Sequence, residues 1–144
     1  MFLAIGIRQN NELRRSESRQ TLVSNDVTSL TANIENADVF VKLVSKTELS
    51  AEDQLRLSFM YALDLRNREF EYFQYTHGLL DEDTWLAYRH VILFNHSTGP
   101  GRIWWNEIGR GIVDRKFAEL IDELLVDAQT DDTYLRRRRG PTLR

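Results

Sequence analysis

Glu69 and Glu71 lie two residues apart in a long predicted helix, and they are the carboxylates best placed for acid or base chemistry. A carboxyl group among aromatic side chains loses solvation, which raises its pKa toward neutral pH. Glu69 is the first candidate because it lies in the same row of the helix as Tyr72, three residues later. The alternative is that Glu69 forms an ion pair with Arg66, three residues earlier, or with an arginine of another helix.

Arg102 is the candidate cation. It follows Gly-Pro-Gly at 99–101, a turn that lacks the Gly-x-x-x-x-Gly-Lys-Ser/Thr pattern of a phosphate-binding loop. Together with Glu69 and Tyr72, Arg102 could line a small-ligand pocket between helices.

Trp104 and Trp105 are candidates for an interface. Adjacent residues on a helix point about 100° apart, so one indole can be buried while the other meets a partner. Burial of both side chains in the core is the alternative.

Metal and nucleophile motifs are absent from the sequence. The chain has no cysteine, and its three histidines, His77, His90 and His96, include no pair at the i, i+4 spacing of a helix-borne metal site. The acidic run 81–83 is explained by the start of a helix. We therefore expect no metal and no cofactor, and a capping or packing role for His77.

The net charge of −3 is unevenly distributed. Residues 129–144 carry +3 and the remainder carries −6. An acidic body repels a phosphate backbone, which argues against nucleic acid as a partner. The basic tail is predicted to be disordered, and either it binds an anionic partner or it only keeps the chain soluble. Its four consecutive arginines are Arg136, Arg137, Arg138 and Arg139.

Composition and periodicity predict an all-α fold, an irregular helical bundle around a long central helix at about 51–77. Only 7 Gly and 2 Pro are available for tight turns. Ser50 and Asp53 form a capping box at the start of the central helix, and Gly78 can close it. The predicted organisation is a polar, protruding N-terminal helix at 1–21, a helical domain at 22–128 and the basic tail at 129–144.

Apolar stripes indicate which helix faces should be buried. In the first helix, Val23, Val27, Leu30 and Ile34 follow one another at spacings of four, three and four, and we expect this narrow stripe to dock on the bundle. The central helix has a stripe that we also expect to be buried, consisting of Leu55, Phe59, Leu63, Phe70, Phe73 and His77.

Several short motifs resemble a family of uncharacterised small bacterial helical proteins. The resemblance rests on Ile7-Arg8-Gln9-Asn10, on Glu69 to Tyr75 leading into Gly78-Leu79-Leu80-Asp81-Glu82, on Trp85, on Gly101-Arg102-x-Trp104-Trp105 and on Phe117. It implies one N-terminal transmembrane helix ending just before Ile-Arg-Gln-Asn, of which residues 1–7 resemble the last turns. It implies no catalytic residues.

The function predicted from these features is a non-enzymatic helical interaction or scaffold module near a membrane. Its partner would be another protein or a second copy of the chain, and its N-terminus would meet the membrane surface. Arg8, Arg14 and Arg15 after the apolar start favour a cytoplasmic position at the inner face of the membrane. The alternative function is a small-ligand binder or enzyme that uses Glu69, Tyr72 and Arg102.

Overall fold

The computed structural model describes residues 2–97 and 99–130, and the regular structure in these ranges is entirely helical. This confirms the all-α prediction. The chain forms two compact units, 1–85 and 86–144, and the division falls within the fourth helix. The helices are α1 (Phe2–Glu35), α2 (Ala37–Val44), α3 (Ala51–Thr76), α4 (Glu82–His96), α5 (Gly99–Glu107) and α6 (Arg115–Thr130), with a 3-10 turn at Gly109–Gly111.

The boundaries of α3 follow from local hydrogen bonds at its two ends. The Ser50 hydroxyl accepts a hydrogen bond from the Asp53 amide at 3.1 Å, and the Asp53 carboxylate accepts one from the Ser50 amide at 3.1 Å. At the other end, Gly78 has a φ of +71°, which a residue with a side chain rarely adopts. The predicted capping box and the predicted stop are both confirmed.

Replacing Ser50 by Ala is expected to lower the free energy of unfolding by about 1 kcal/mol, because the Asp53 amide loses its acceptor. Urea titration followed by far-UV circular dichroism measures this change. Ser45→Ala is the matched control, since Ser45 directly follows α2 and its exposed hydroxyl donates to the Val41 carbonyl at 2.7 Å. Equal losses in the two variants would contradict a specific capping role.

Charged side chains connect α2 to the start of α3. Lys42 Nζ donates to both carboxylate oxygens of Asp53, at 2.8 and 3.0 Å. The hydrogen bonds from Lys42 and Ser50 lower the pKa of Asp53 to about 2, so its carboxylate stays ionised through the ordinary pH range. Arg56 donates to Asp38 at 3.1 Å and to the Asn36 side chain at 2.8 Å. The Asn36 side chain makes no capping hydrogen bond to α2.

The second unit is built around the two tryptophans of α5 and the apolar face of α6. Trp105 is fully buried, and its indole N–H donates to the Asp122 carboxylate of α6 at 2.9 Å. Gly109 leaves room for the indoles, since a Cβ there would lie 2.5 Å from Cζ3 of Trp104. The face of α6 that is buried in this unit consists of Phe117, Ala118, Ile121, Leu124, Leu125 and Ala128.

Candidate functional site

The interface between α1 and α3 contains several buried polar side chains. The Ser18 hydroxyl donates to the side-chain oxygen of Gln74 at 2.8 Å, and both residues are buried. About two turns earlier along α3, the Asn67 side chain donates to the Ser29 hydroxyl at 2.6 Å and to the Asn25 carbonyl at 3.2 Å. Hydrogen bonds thus hold the two longest helices of the first unit together at positions where helical proteins usually bury apolar side chains.

A cluster of charged residues lies in the same interface. Arg68 is only 4% exposed, and its Nη2 donates to the Asp26 carboxylate of α1 at 3.0 Å. The same nitrogen lies 3.1 Å from Oε1 of Glu71, and Nε lies 3.7 Å from Oδ1 of Asp64. One guanidinium group therefore faces three carboxyl groups.

Glu71 is the group in this cluster with the most perturbed acidity. Its side chain has no exposed surface, and this burial raises its pKa to about 9, against the smaller opposing effect of Arg68. The negative charges of Asp26 and Asp64 act in the same direction as burial. Glu71 is therefore protonated at neutral pH, while the charge of Arg68 is balanced by Asp26 and Asp64.

The apolar stripe of α1 faces away from α3. Val23, Val27, Leu30 and Ile34 are 56 to 74% exposed, whereas Leu22 on the inner face is 4% exposed. The expectation that this stripe docks on the bundle is therefore wrong. The inner face of α1 begins at Ser18, upstream of the segment that was expected to contribute to packing.

The outer side of α3 repeats this arrangement. Phe59 is 67% exposed, and Leu55 and Phe73 are also exposed. The expected burial of the stripe from Leu55 to His77 is therefore wrong for these residues and for His77 itself, while Leu63 and Phe70 are half-buried. In this unit, α3 buries polar side chains such as Arg68 and Gln74 beside apolar ones such as Leu57 and Leu65. Several of its other apolar side chains stay exposed.

The inverted arrangement has a physical reason. The face of α3 toward α1 carries Asn67, Arg68 and Gln74, which need hydrogen-bond partners when they are buried. Serine and aspartate on α1 supply those partners, and valine or leucine would not. α1 therefore turns Ser18 and Asp26 inward, and the opposite side of the helix, with the stripe, faces outward.

The structure supports the ion-pair alternative for Glu69. Its carboxylate accepts a hydrogen bond from Arg66 at 2.8 Å on the surface of α3. Tyr72 packs on Trp85, with ring centroids 5.5 Å apart. Both residues therefore have structural contacts within the first unit.

Arg102 and the tryptophan pair belong to the second unit. Arg102 is half-buried in α5, where Gly99 to Gly101 form the first helical turn instead of a loop. Partial burial raises the pKa of Asp122. The hydrogen bonds from Arg110 and Trp105 and the charge of Arg102 outweigh this effect, so the pKa of Asp122 is lowered. Trp104 and Trp105 are both buried, so their burial in the core is the alternative that the structure supports.

The histidines occupy separate environments. The Nδ1–H of His77 donates to the Phe73 carbonyl oxygen at 2.8 Å, which agrees with the expected capping role. His96 is buried against Trp104, with ring centroids 5.7 Å apart. Within residues 2–97 and 99–130, no group of three or more histidine, aspartate or glutamate side chains is arranged to hold a metal ion.

Sequence reasoning missed Arg68 and Glu71 and singled out Glu69 instead. A signal was present, because Asp64, Arg68 and Glu71 follow one another at spacings of four and three and extend the row of Leu57 and Tyr61. Charged residues that continue an apolar row at helical spacing are candidates for a buried ionic cluster.

Two further predictions concern the ends of the chain. No helix of the described residues is both long enough and apolar enough to cross a bilayer. Arg136, Arg137, Arg138 and Arg139 lie outside the described residues. Comparisons with protein-family models, with curated proteins and with solved structures found no match to this chain. The resemblance to small bacterial helical proteins therefore stays a prediction.

Proposed function

We propose that this protein is a non-enzymatic interaction module that binds a protein partner, either another protein or a second copy of the chain, through the outward apolar stripe of α1. The observation that carries the proposal is the inverted polarity of α1, which buries Ser18 and Ser29 and exposes Val27 and Leu30. A contiguous exposed apolar face on a helix is typical of a surface that docks a partner. The position near a membrane, suggested by the N-terminal residues, remains part of this hypothesis.

The contacts of the catalytic candidates favour a structural role for them. Glu69 is neutralised by Arg66, and Tyr72 is packed on Trp85. Glu71 has the raised pKa of a catalytic acid, but its side chain has no exposed surface and faces Arg68 inside a helix interface. A catalytic acid must reach its substrate, so burial of this kind supports the non-enzymatic alternative.

The proposal is tested by the same substitution on the two faces of α1. Leu30→Ala is expected to change the free energy of unfolding by less than about 0.5 kcal/mol, because Leu30 is 60% exposed. Leu22→Ala is expected to cost about 2 kcal/mol or more, because Leu22 is buried. Urea unfolding at about 1 µM protein keeps association from contributing to the measured stability.

A second measurement concerns the exposed surface itself. The apolar dye bis-ANS is expected to bind the native wild-type chain through the stripe and to lose fluorescence in the double variant Val27→Gln, Leu30→Gln. If Leu30→Ala destabilises the chain as much as Leu22→Ala does, the stripe is part of the core and the proposed function is wrong.

A further inference from the structure

The order of the residues in the stripe points to a specific partner. The spacings between Val23, Val27, Leu30 and Ile34 are four, three and four, and they are the same in both directions along the helix. A second helix of the same sequence, running the opposite way, therefore presents a matching row. We infer that the protein self-associates through this stripe, with two α1 helices packed antiparallel about a two-fold axis. The inference rests on the proposed function and names its partner.

The pairing of side chains follows from the symmetry. Val23 faces Ile34 of the second copy, and Val27 faces Leu30, so that every layer of the interface is apolar. Alternating spacings of three and four are those of a coiled-coil seam, in which each side chain enters a space between side chains of the other helix. The same four residues are used on both copies, as a two-fold interface requires.

The charges around the stripe are compatible with this contact. Asp26 is the only charged residue between positions 20 and 34 of the sequence, and Ser24, Thr31 and Asn33 beside the stripe are uncharged. The Asp26 carboxylate is engaged by Arg68 on the inner side of α1 at 3.0 Å. Two copies can therefore approach along the stripe without placing like charges opposite each other.

The residues upstream of the stripe decide the direction of the second helix. Ser16 and Gln20 hold the two preceding seam positions, so a parallel pair would bury polar layers. Residues 8–19 contain four arginines and two glutamates, and a parallel pair would place these two basic segments side by side. In the antiparallel pair the basic segments point apart, each toward the end of the other α1, where Glu35 provides negative charge.

The size of the contact sets its strength. Within α1 the symmetric overlap runs from residue 22 to residue 35 on each copy, which is about 21 Å of helix at 1.5 Å per residue. This is a small interface beside the roughly 800 Å² per partner of stable complexes. We therefore expect a reversible dimer with a dissociation constant in the micromolar range or weaker.

Sedimentation equilibrium of the full chain tests self-association. Between about 5 µM and about 500 µM, the average mass is expected to rise from one chain toward two. Leu30→Glu should weaken this association at least tenfold, because it places a charge in the apolar seam of both copies. Circular dichroism of the variant serves to verify that it remains folded.

Disulfide cross-linking tests the direction, and the absence of cysteine from the chain removes any background. A mixture of Val23→Cys and Ile34→Cys chains is expected to cross-link under mild oxidation. Val23→Cys alone should not, because its two copies would lie about 16 Å apart along the axis. Thr28→Cys mixed with Ile34→Cys gives the rate of random collisions.

Each result decides between defined alternatives. The antiparallel pair would be overturned if Val23→Cys chains cross-link with one another as fast as they do with Ile34→Cys chains. It would also be overturned if Val23→Cys and Ile34→Cys cross-link no faster than Thr28→Cys and Ile34→Cys do. A mass of one chain at every concentration would overturn self-association. None of these results contradicts the proposed function. The proposed function is wrong only if Leu30→Ala destabilises the folded chain as much as Leu22→Ala does.

Discussion

Replacing Glu71 by Gln is expected to stabilise the protein far more at pH 8 than at pH 5, with a difference on the order of 3 kcal/mol. The pKa of Glu71 is raised from 4.5 to about 9 in the folded protein because the group is buried. In the unfolded chain the same carboxyl group is ionised at pH 8. Unfolding at pH 8 therefore releases a proton, and rising pH favours the unfolded state between about pH 4.5 and pH 9. Glutamine does not ionise, so it removes this dependence.

Urea unfolding of both proteins at the two pH values measures the effect. Glu69→Gln is the matched control, since Glu69 lies two residues away and forms a surface ion pair with Arg66, which is worth less than about 1 kcal/mol. Its effect should be similar at pH 5 and at pH 8. The same stabilisation by Glu71→Gln at both pH values would show that Glu71 has an ordinary pKa.

Replacing Gly101 by Ala is expected to destabilise the protein by about 3 kcal/mol or more, because a Cβ at this position would overlap the backbone carbonyl oxygen of Asn95. The Asn95 carbon would lie 2.9 Å away, so the backbone itself would have to move. The gain in helix propensity from glycine to alanine is at most about 1 kcal/mol, and the steric conflict outweighs it. Thermal unfolding followed by tryptophan fluorescence measures the loss.

Gly111→Ala is the control for this substitution. A Cβ on Gly111 meets no atom within 4 Å, so alanine there should be neutral or should stabilise the chain by up to about 1 kcal/mol. A Gly101 variant as stable as the Gly111 variant would mean that α5 does not approach Asn95 as closely as the structure places it.

The local signals in the sequence were sufficient to predict the helices and some of their contacts. Ser50 with Asp53 and Gly78 define the two ends of α3, because capping depends on residues within one turn of the helix end. The ion pair of Glu69 with Arg66 is also local, and it was among the alternatives considered. The buried face of α6 has a local basis too, because Phe117, Ile121 and Leu124 follow one another at helical spacing and all three are buried.

The prediction failed where burial depends on a distant helix. Val27 and Leu30 belong to an apolar row with the spacing typical of a buried helix face, and nothing within α1 indicates that this row points outward. Its orientation is decided by Arg68 and Gln74, which require polar partners and lie 42 and 56 residues after Asp26 and Ser18, the residues to which they bond. Glu71 was missed for a related reason, because its acidity follows from burial against α1 and not from its neighbours in the sequence.

The two faces of α1 differ in their effect on heat capacity. Exposure of apolar surface to water raises the heat capacity, and exposure of polar surface lowers it. Separation of α1 from α3 exposes the polar groups of Ser18, Gln74 and Arg68 as well as the apolar side chain of Leu22. The two contributions to the heat capacity have opposite signs, so the enthalpy of this contact changes little with temperature. Coverage of Val27 and Leu30 by a partner removes apolar surface and has a negative heat capacity change. The contact of α1 with α3 therefore depends weakly on temperature, whereas the proposed contact of the stripe with a partner would weaken on cooling.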